Sequence, residues 1–148
     1  MTEQEAKNAA DRLFEISKDI MYRICPKDSI SITEEKYLIE GDVTADPFTV
    51  HLKVTVYSEN GLLTIFSVLP YDVPVNKALE FSKMICLTNY NDFYAGNFDY
   101  HPDRGKIVFR MTIPYRNSLI SEELVDECLN YTINTVSKYN QKFFEATR

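Results

Sequence analysis

"FTVHLKVTVYSENGLLTIFSVLP", residues 48–70, decides how this chain folds. Val50, Leu52, Val54 and Val56 alternate with His51, Lys53, Thr55 and Tyr57, the two-residue period of a strand buried on one face. Asn60-Gly61 offers the positive φ angles of a tight turn, and a second apolar run follows, so the stretch reads as a β-hairpin. If Glu59 pairs with Leu62, Leu52 faces Leu69 and Val56 faces Ile65 on the inner side. The outer side then carries Tyr57, Leu62, Phe66 and Val68. A sheet face open to water has no need of these four, so a cover is expected, either a third helix of this chain or another protein.

The flanking segments fill in the order. Residues 2–24 read as an amphipathic helix, with a Thr2/Glu5 capping box and a stripe of Ala9, Leu13, Ile16, Ile20 and Ile24, stopped at Pro26. A short strand is expected around Tyr37, Ile39 and Val43, and "ADP" at 45–47 turns the chain into the hairpin. After Pro74 comes a helix of about four turns. Val75, Ala78, Leu79, Ile85 and Cys86 make one of its faces, while Phe81, Met84 and Leu87 spread to others. A helix apolar on several sides is expected to be buried on several sides.

"NYNDFYAGNFDYHPDRGKIVFRM", residues 89–111, crowds asparagines, aspartates, a histidine and tyrosines together. It reads as a second hairpin, with Tyr94, Gly96, Phe98 and Tyr100 on one side and Pro102, Asp103 and Gly105 in the turn. With His101 opposite Lys106, Phe98 meets Phe109 in the core, and Asp99 joins Lys106 and Arg110 in a cross-strand charge group. The last segment is a long helix capped by Ser121, with a core stripe of Val125, Leu129, Thr132, Val136, Tyr139 and Phe143. The order α-β-β-β-α-β-β-α specifies an α+β fold, a mainly antiparallel sheet of about five strands with the first and last helices packed on it.

The 148 residues are the size of one domain, expected over 1–148. The formal net charge of -6 opposes binding to nucleic acid or anionic membranes. The polar, acidic N-terminus lacks a signal peptide's pattern, no apolar run is long enough for a membrane span, and Cys25, Cys86 and Cys128 read as reduced, mostly buried thiols. A cytoplasmic protein is expected.

Catalytic patterns are weak. Asp99, His101 and Asp103 fall short of the three or four convergent ligands and supporting shell that metals require. Cys86 and Cys128, on core stripes, lack a histidine base. Glu122, Glu123 and Asp126 suit a helix start, and Asn89 and Asn91 suit a helix end and the loop beyond it. Ten tyrosines and nine phenylalanines supply core, or a protein-binding surface. No enzyme activity, metal or cofactor is expected. The competing reading is a small-molecule-binding protein or hydrolase built on Asn91, Asp99 or His101.

"LPYDVP", the helix ending in "NYN", "GNFDYHPDRGKIVFRMTIPY" and the serine-capped last helix together resemble the YbjN-like family, over roughly residues 36–147. That family shares the fold of type III secretion chaperones. The resemblance implies a small acidic, non-enzymatic protein, often dimeric, that binds another protein or serves a regulatory role. It carries no catalytic residues to this chain. A homodimer or a protein client is the expected partner, met through Tyr57, Leu62, Phe66, Val68, Phe81 and Met84.

Overall fold

The computed structural model describes residues 2–93 and 95–148. Helix α1 (Glu3–Ile24) starts on Thr2, whose hydroxyl accepts from the Glu5 amide while the Glu5 carboxylate accepts from the Thr2 amide. Strands β1 (Ser31–Thr33), β2 (Leu38–Ala45), β3 (Phe48–Tyr57) and β4 (Leu62–Val68) follow, then α2 (Ala78–Asp92), β5 (Asn97–His101), β6 (Lys106–Pro114) and α3 (Glu122–Ala146). The strands form one antiparallel sheet in the order β1-β2-β3-β4-β6-β5. The α+β architecture is the expected one, with a sixth strand. β1 escaped the sequence reading because three residues are too few to show a period.

All three helices lie on one face of the sheet. α1 and α3 cover Ile39, Leu52, Val54, Val56, Leu63 and Ile65, while α2 and the C-terminal half of α3 enclose Phe98, Ile107 and Phe109. Every residue of the expected α3 stripe is buried, and α2 joins α1 and α3 on the sheet. Phe98 sits at the centre of an aromatic cluster, 4.8 Å from Phe143 and 4.9 Å from Phe109 between ring centroids. Edge-to-face packing of this kind adds to the area each ring removes from water. One deep polar side chain joins distant segments. Asn140 donates to the Ala45 carbonyl at 2.6 Å and accepts from the Tyr71 hydroxyl at 2.7 Å, tying α3 to the β2–β3 turn.

The two hairpins fare differently. At β5–β6, His101 pairs with Lys106 and Phe98 with Phe109, as the sequence predicts. Gly105 takes φ +69 in its turn, and a Cβ there would meet the Val73 carbonyl at 2.5 Å. Tyr94 lies outside the described residues, and β5 begins at Asn97. At β3–β4 the pairing is Tyr57 with Leu62, so Val56 faces Leu63 and Leu52 faces Ser67, two residues away from the expected register. The turn is longer than the Asn-Gly pair suggested. The Asn60 amide donates to the Tyr57 carbonyl at 3.1 Å, and of the Asn-Gly pair only Gly61 has positive φ, +66. A two-residue shift leaves every side chain on its expected face, which is why the inside-outside assignment survives.

Candidate protein-interaction surfaces

The face opposite the helices has no cover among the described residues. Register places side chains across it in rows. One row is Glu40, Lys53, Phe66, Arg110 and Asn97, the next Asp42, His51, Val68, Val108 and Asp99. An apolar spine of Leu62, Phe66 and Val68 runs along β4, with Val108 beside it on β6 and Tyr57 at its end. Thr55, Thr64 and Thr112 cross it in a row, and the last two share a 3.3 Å hydroxyl contact. Leu62, Phe66, Val68 and Val108 are half-buried by their neighbours in the sheet, and Tyr57 is exposed. Of the two covers considered, a helix of this chain is not found there among the described residues, because each helix has its apolar stripe engaged on the other face.

Charges ring the spine in an ordered way. Lys53 on β3 and Arg110 on β6 stand directly beside Phe66, and acids come one strand further out. Arg110 Nε lies 3.1 Å from Asp99, whose other oxygen accepts from the Asn97 amide. Lys53 is 3.8 Å from Glu40. His51 bridges two carboxylates, with Nδ1 2.8 Å from Asp42 and Nε2 3.0 Å from Glu40. Partial burial opposes the ring's charge, but the hydrogen bonds to Asp42 and Glu40 outweigh it and raise the His51 pKa. Both ring nitrogens donate when the imidazolium forms, so this geometry favours the charged state. This cluster leaves no local mark in the chain, because Glu40 and Asp42 lie across a turn whose register only the fold sets.

The second surface is on α2. Its core side carries Phe81, 2% exposed, with Ile85 and Thr88, one helical stripe against β5 and α3. Phe81 is therefore interior and not a surface residue of the monomer, and Met84 is half-buried against the same cluster. The opposite side faces water with Leu79 73% and Tyr90 87% exposed, joined by Cys86, Leu87 and, one turn upstream, Val75. Two expectations are corrected here. α2 is buried on one side only, and Cys86 is exposed. Leu79 and Cys86 were grouped with Ile85, but the bulk of Phe81 and its i, i+4, i+7 partners Ile85 and Thr88 turns that side to the core. Tyr90 was missed because it sits in a polar "NYN".

The remaining chemistry is structural. Asn89 pairs its side-chain amide with the backbone of Phe98, donating to its carbonyl at 2.8 Å and accepting from its N–H at 2.9 Å. It thereby occupies the outer edge of β5, where an unpaired strand invites further strands. Burial raises the Cys25 thiol to about 11 and also raises that of Cys128. Among the described residues no three His, Cys, Asp or Glu side chains converge to hold a metal. Clefts of ≈ 1050, 390 and 440 Å³ open around the start of α1, around Phe14 and Tyr37, and beside Cys25, and none of the three is lined by residues 91–103. No helix of the described residues is long and apolar enough to cross a membrane.

These features define an α+β protein with a two-layer body and two uncovered surfaces of different make. No protein-family model matches the chain, and no curated protein matches it by sequence. The fold is nevertheless shared. A chain of the crystal structure of the ExsC–ExsE complex superposes with a TM-score of 0.62, covering 89% of this chain and 93% of its own length at 12% identity. At that identity the likeness is one of fold.

Proposed function

We propose that this protein binds other proteins in a chaperone-like or regulatory role and has no enzymatic activity of its own, acting as a single cytoplasmic domain and as a homodimer. The observation that carries the reading is the outward side of α2, where exposed Leu79, Cys86, Leu87 and Tyr90 surround Lys83 opposite a fully engaged core stripe. Large exposed apolar patches of this kind mark association surfaces. The YbjN-like motifs favour the same role, and the fold neighbour was solved as a protein–protein complex. The free thiols suit a reducing compartment.

The stripe is spaced to meet itself. In an antiparallel pair of α2 helices with a two-fold axis between residues 82 and 83, Val75 meets Tyr90, Leu79 meets Cys86 and Ser82 meets Lys83. A two-fold contact demands this self-complementary order. The axis brings the exposed Lys83 of the two copies close together, and the long stem of each can lie along the stripe with its ammonium in water.

Light scattering should show a dimer, and a Leu79→Cys variant should form an intermolecular disulfide with native Cys86 under mild oxidation. Wild-type Cys86 should not crosslink to its own copy, because seven residues separate it from Leu79, about 10 Å along the axis. A strict monomer would refute the homodimer. A dimer that fails to crosslink would refute this pairing.

A further inference from the structure

The open sheet face lies on the side of the sheet away from α2, and its charge order discriminates between occupants. Outward from β4 across β3, both rows run apolar, then cationic, then acidic, and on the other side Arg110 stands beside Phe66 and Val108 beside Val68, with Asp99 diagonal to Arg110. Phe66 and Val68 form the centre. Lys53, His51 and Arg110 flank them on β3 and β6, and Glu40, Asp42 and Asp99 follow on β2 and β5. Strands lie about 4.8 Å apart and a helix with its side chains is about 10 Å across, so a helix laid along β4 covers the spine and reaches the cations on both sides.

A second copy fits this order poorly. Stacking two such faces spine on spine sets Lys53 and Arg110 of one copy against the same cations of the other. A helix whose apolar stripe is bordered on both edges by carboxylates meets no such conflict. It would also complete the missing layer, as α1 and α3 do on the other side. The cations have capacity for it. Lys53 has its nearest carboxylate at 3.8 Å, and Arg110 meets Asp99 through Nε, which leaves its two terminal amino groups for a further carboxylate.

We propose that the open sheet face docks an amphipathic helix of a partner protein, its apolar stripe over Leu62, Phe66 and Val68 and its acidic borders on Lys53 and Arg110. The proposal rests on the protein-binding reading above and is independent of the α2 pairing.

Two fluorescein-labelled designed helical peptides test it, sharing one leucine stripe, the first bordered by glutamates and the second by lysines. Fluorescence anisotropy at low salt with the full-length protein should show the glutamate peptide binding about tenfold tighter, the scale of two screened charge contacts. The double variant Lys53→Glu/Arg110→Glu should reverse the preference, and Phe66→Ser should weaken both peptides. Both variants are checked for folding by circular dichroism, and the charge reversal alone decides the matter if Phe66→Ser is unfolded. Equal binding of the two peptides, no binding of either, or binding that survives the charge reversal but is lost in Leu79→Ser would overturn the proposal. In every one of those cases the Leu79→Cys crosslink still reports separately on the dimer.

Discussion

The two faces of the sheet are built by the same strands from alternate residues, yet only one of them is closed. On the covered face Val54, Ile65, Phe98 and Phe109 are shut in beneath three helices. On the open face Phe66, Val68 and Val108 stand among threonines and paired charges with nothing above them. Alternation alone makes both faces look partly apolar. The difference lies in the neighbours: the inner apolar residues continue across all the long strands, whereas the outer ones are concentrated on β4, with Val108 on β6, Tyr57 at the end of β3 and Leu38 on β2, and charge stands on both sides. A narrow apolar spine inside a charged frame is arranged like an interface, apolar at its centre and polar at its rim.

The sharpest way to break this contrast is to empty the two faces in parallel. Phe98→Ala should cost about 3–5 kcal/mol in urea unfolding followed by circular dichroism, because a fully packed ring leaves a cavity. Phe66→Ala should cost no more than about 1 kcal/mol, since the ring is half in water already and no lid closes on it. Equal losses at the two sites would mean that the open face is closed in solution.

The polar tie beneath the helices comes next. Asn140→Ala leaves the Ala45 carbonyl without its partner in the interior, at roughly 1–3 kcal/mol, while the Tyr71 hydroxyl keeps the Asn140 backbone carbonyl at 3.0 Å. A loss under half a kcal/mol in the same unfolding experiment would show that water reaches this site.

On the open face, His51 should make stability depend on pH, weakly. Its pKa is raised in the folded protein, so its contribution is complete below the ordinary value of 6.5 and vanishes as pH rises through the folded value. The wild type should therefore exceed His51→Gln by less than about 1 kcal/mol at pH 5.5, the ring being well exposed, and by nothing at pH 9. An advantage that grew with pH would contradict the imidazolium bridge. Smallest in stability are Leu79→Ser and Tyr90→Ser, within about 0.5 kcal/mol at protein concentrations low enough to hold the monomer. The same variants should lose the dimer in light scattering.

Much of this was legible in advance. The Ser121 cap and every position of the α3 stripe could be placed by period, as could the His101–Lys106 register, because Pro102 to Gly105 fixes a short turn. The β3–β4 hairpin was legible in its faces but not in its pairing. Asn60-Gly61 suggests a two-residue loop, and the chain instead closes a four-residue one in which Gly61 alone has positive φ and its carbonyl accepts from Tyr115 at 2.9 Å. That contact spans more than fifty residues and leaves no local trace.

By itself the sequence determined which segments are helices and strands and which side of each strand is apolar, since those follow from side-chain periods and turn residues close together in the chain. Tertiary structure alone decided which side of α2 meets the core, that β1 joins the sheet, and that Glu40, Asp42 and His51 come within hydrogen-bonding distance. Each of these depends on contacts between distant segments. A helix with apolar residues all round has no preferred side until a neighbour such as Phe98 or Phe143 selects one. The physical reason is that a period reports how much of an element is apolar, while the choice of what to bury belongs to the packing of the whole chain.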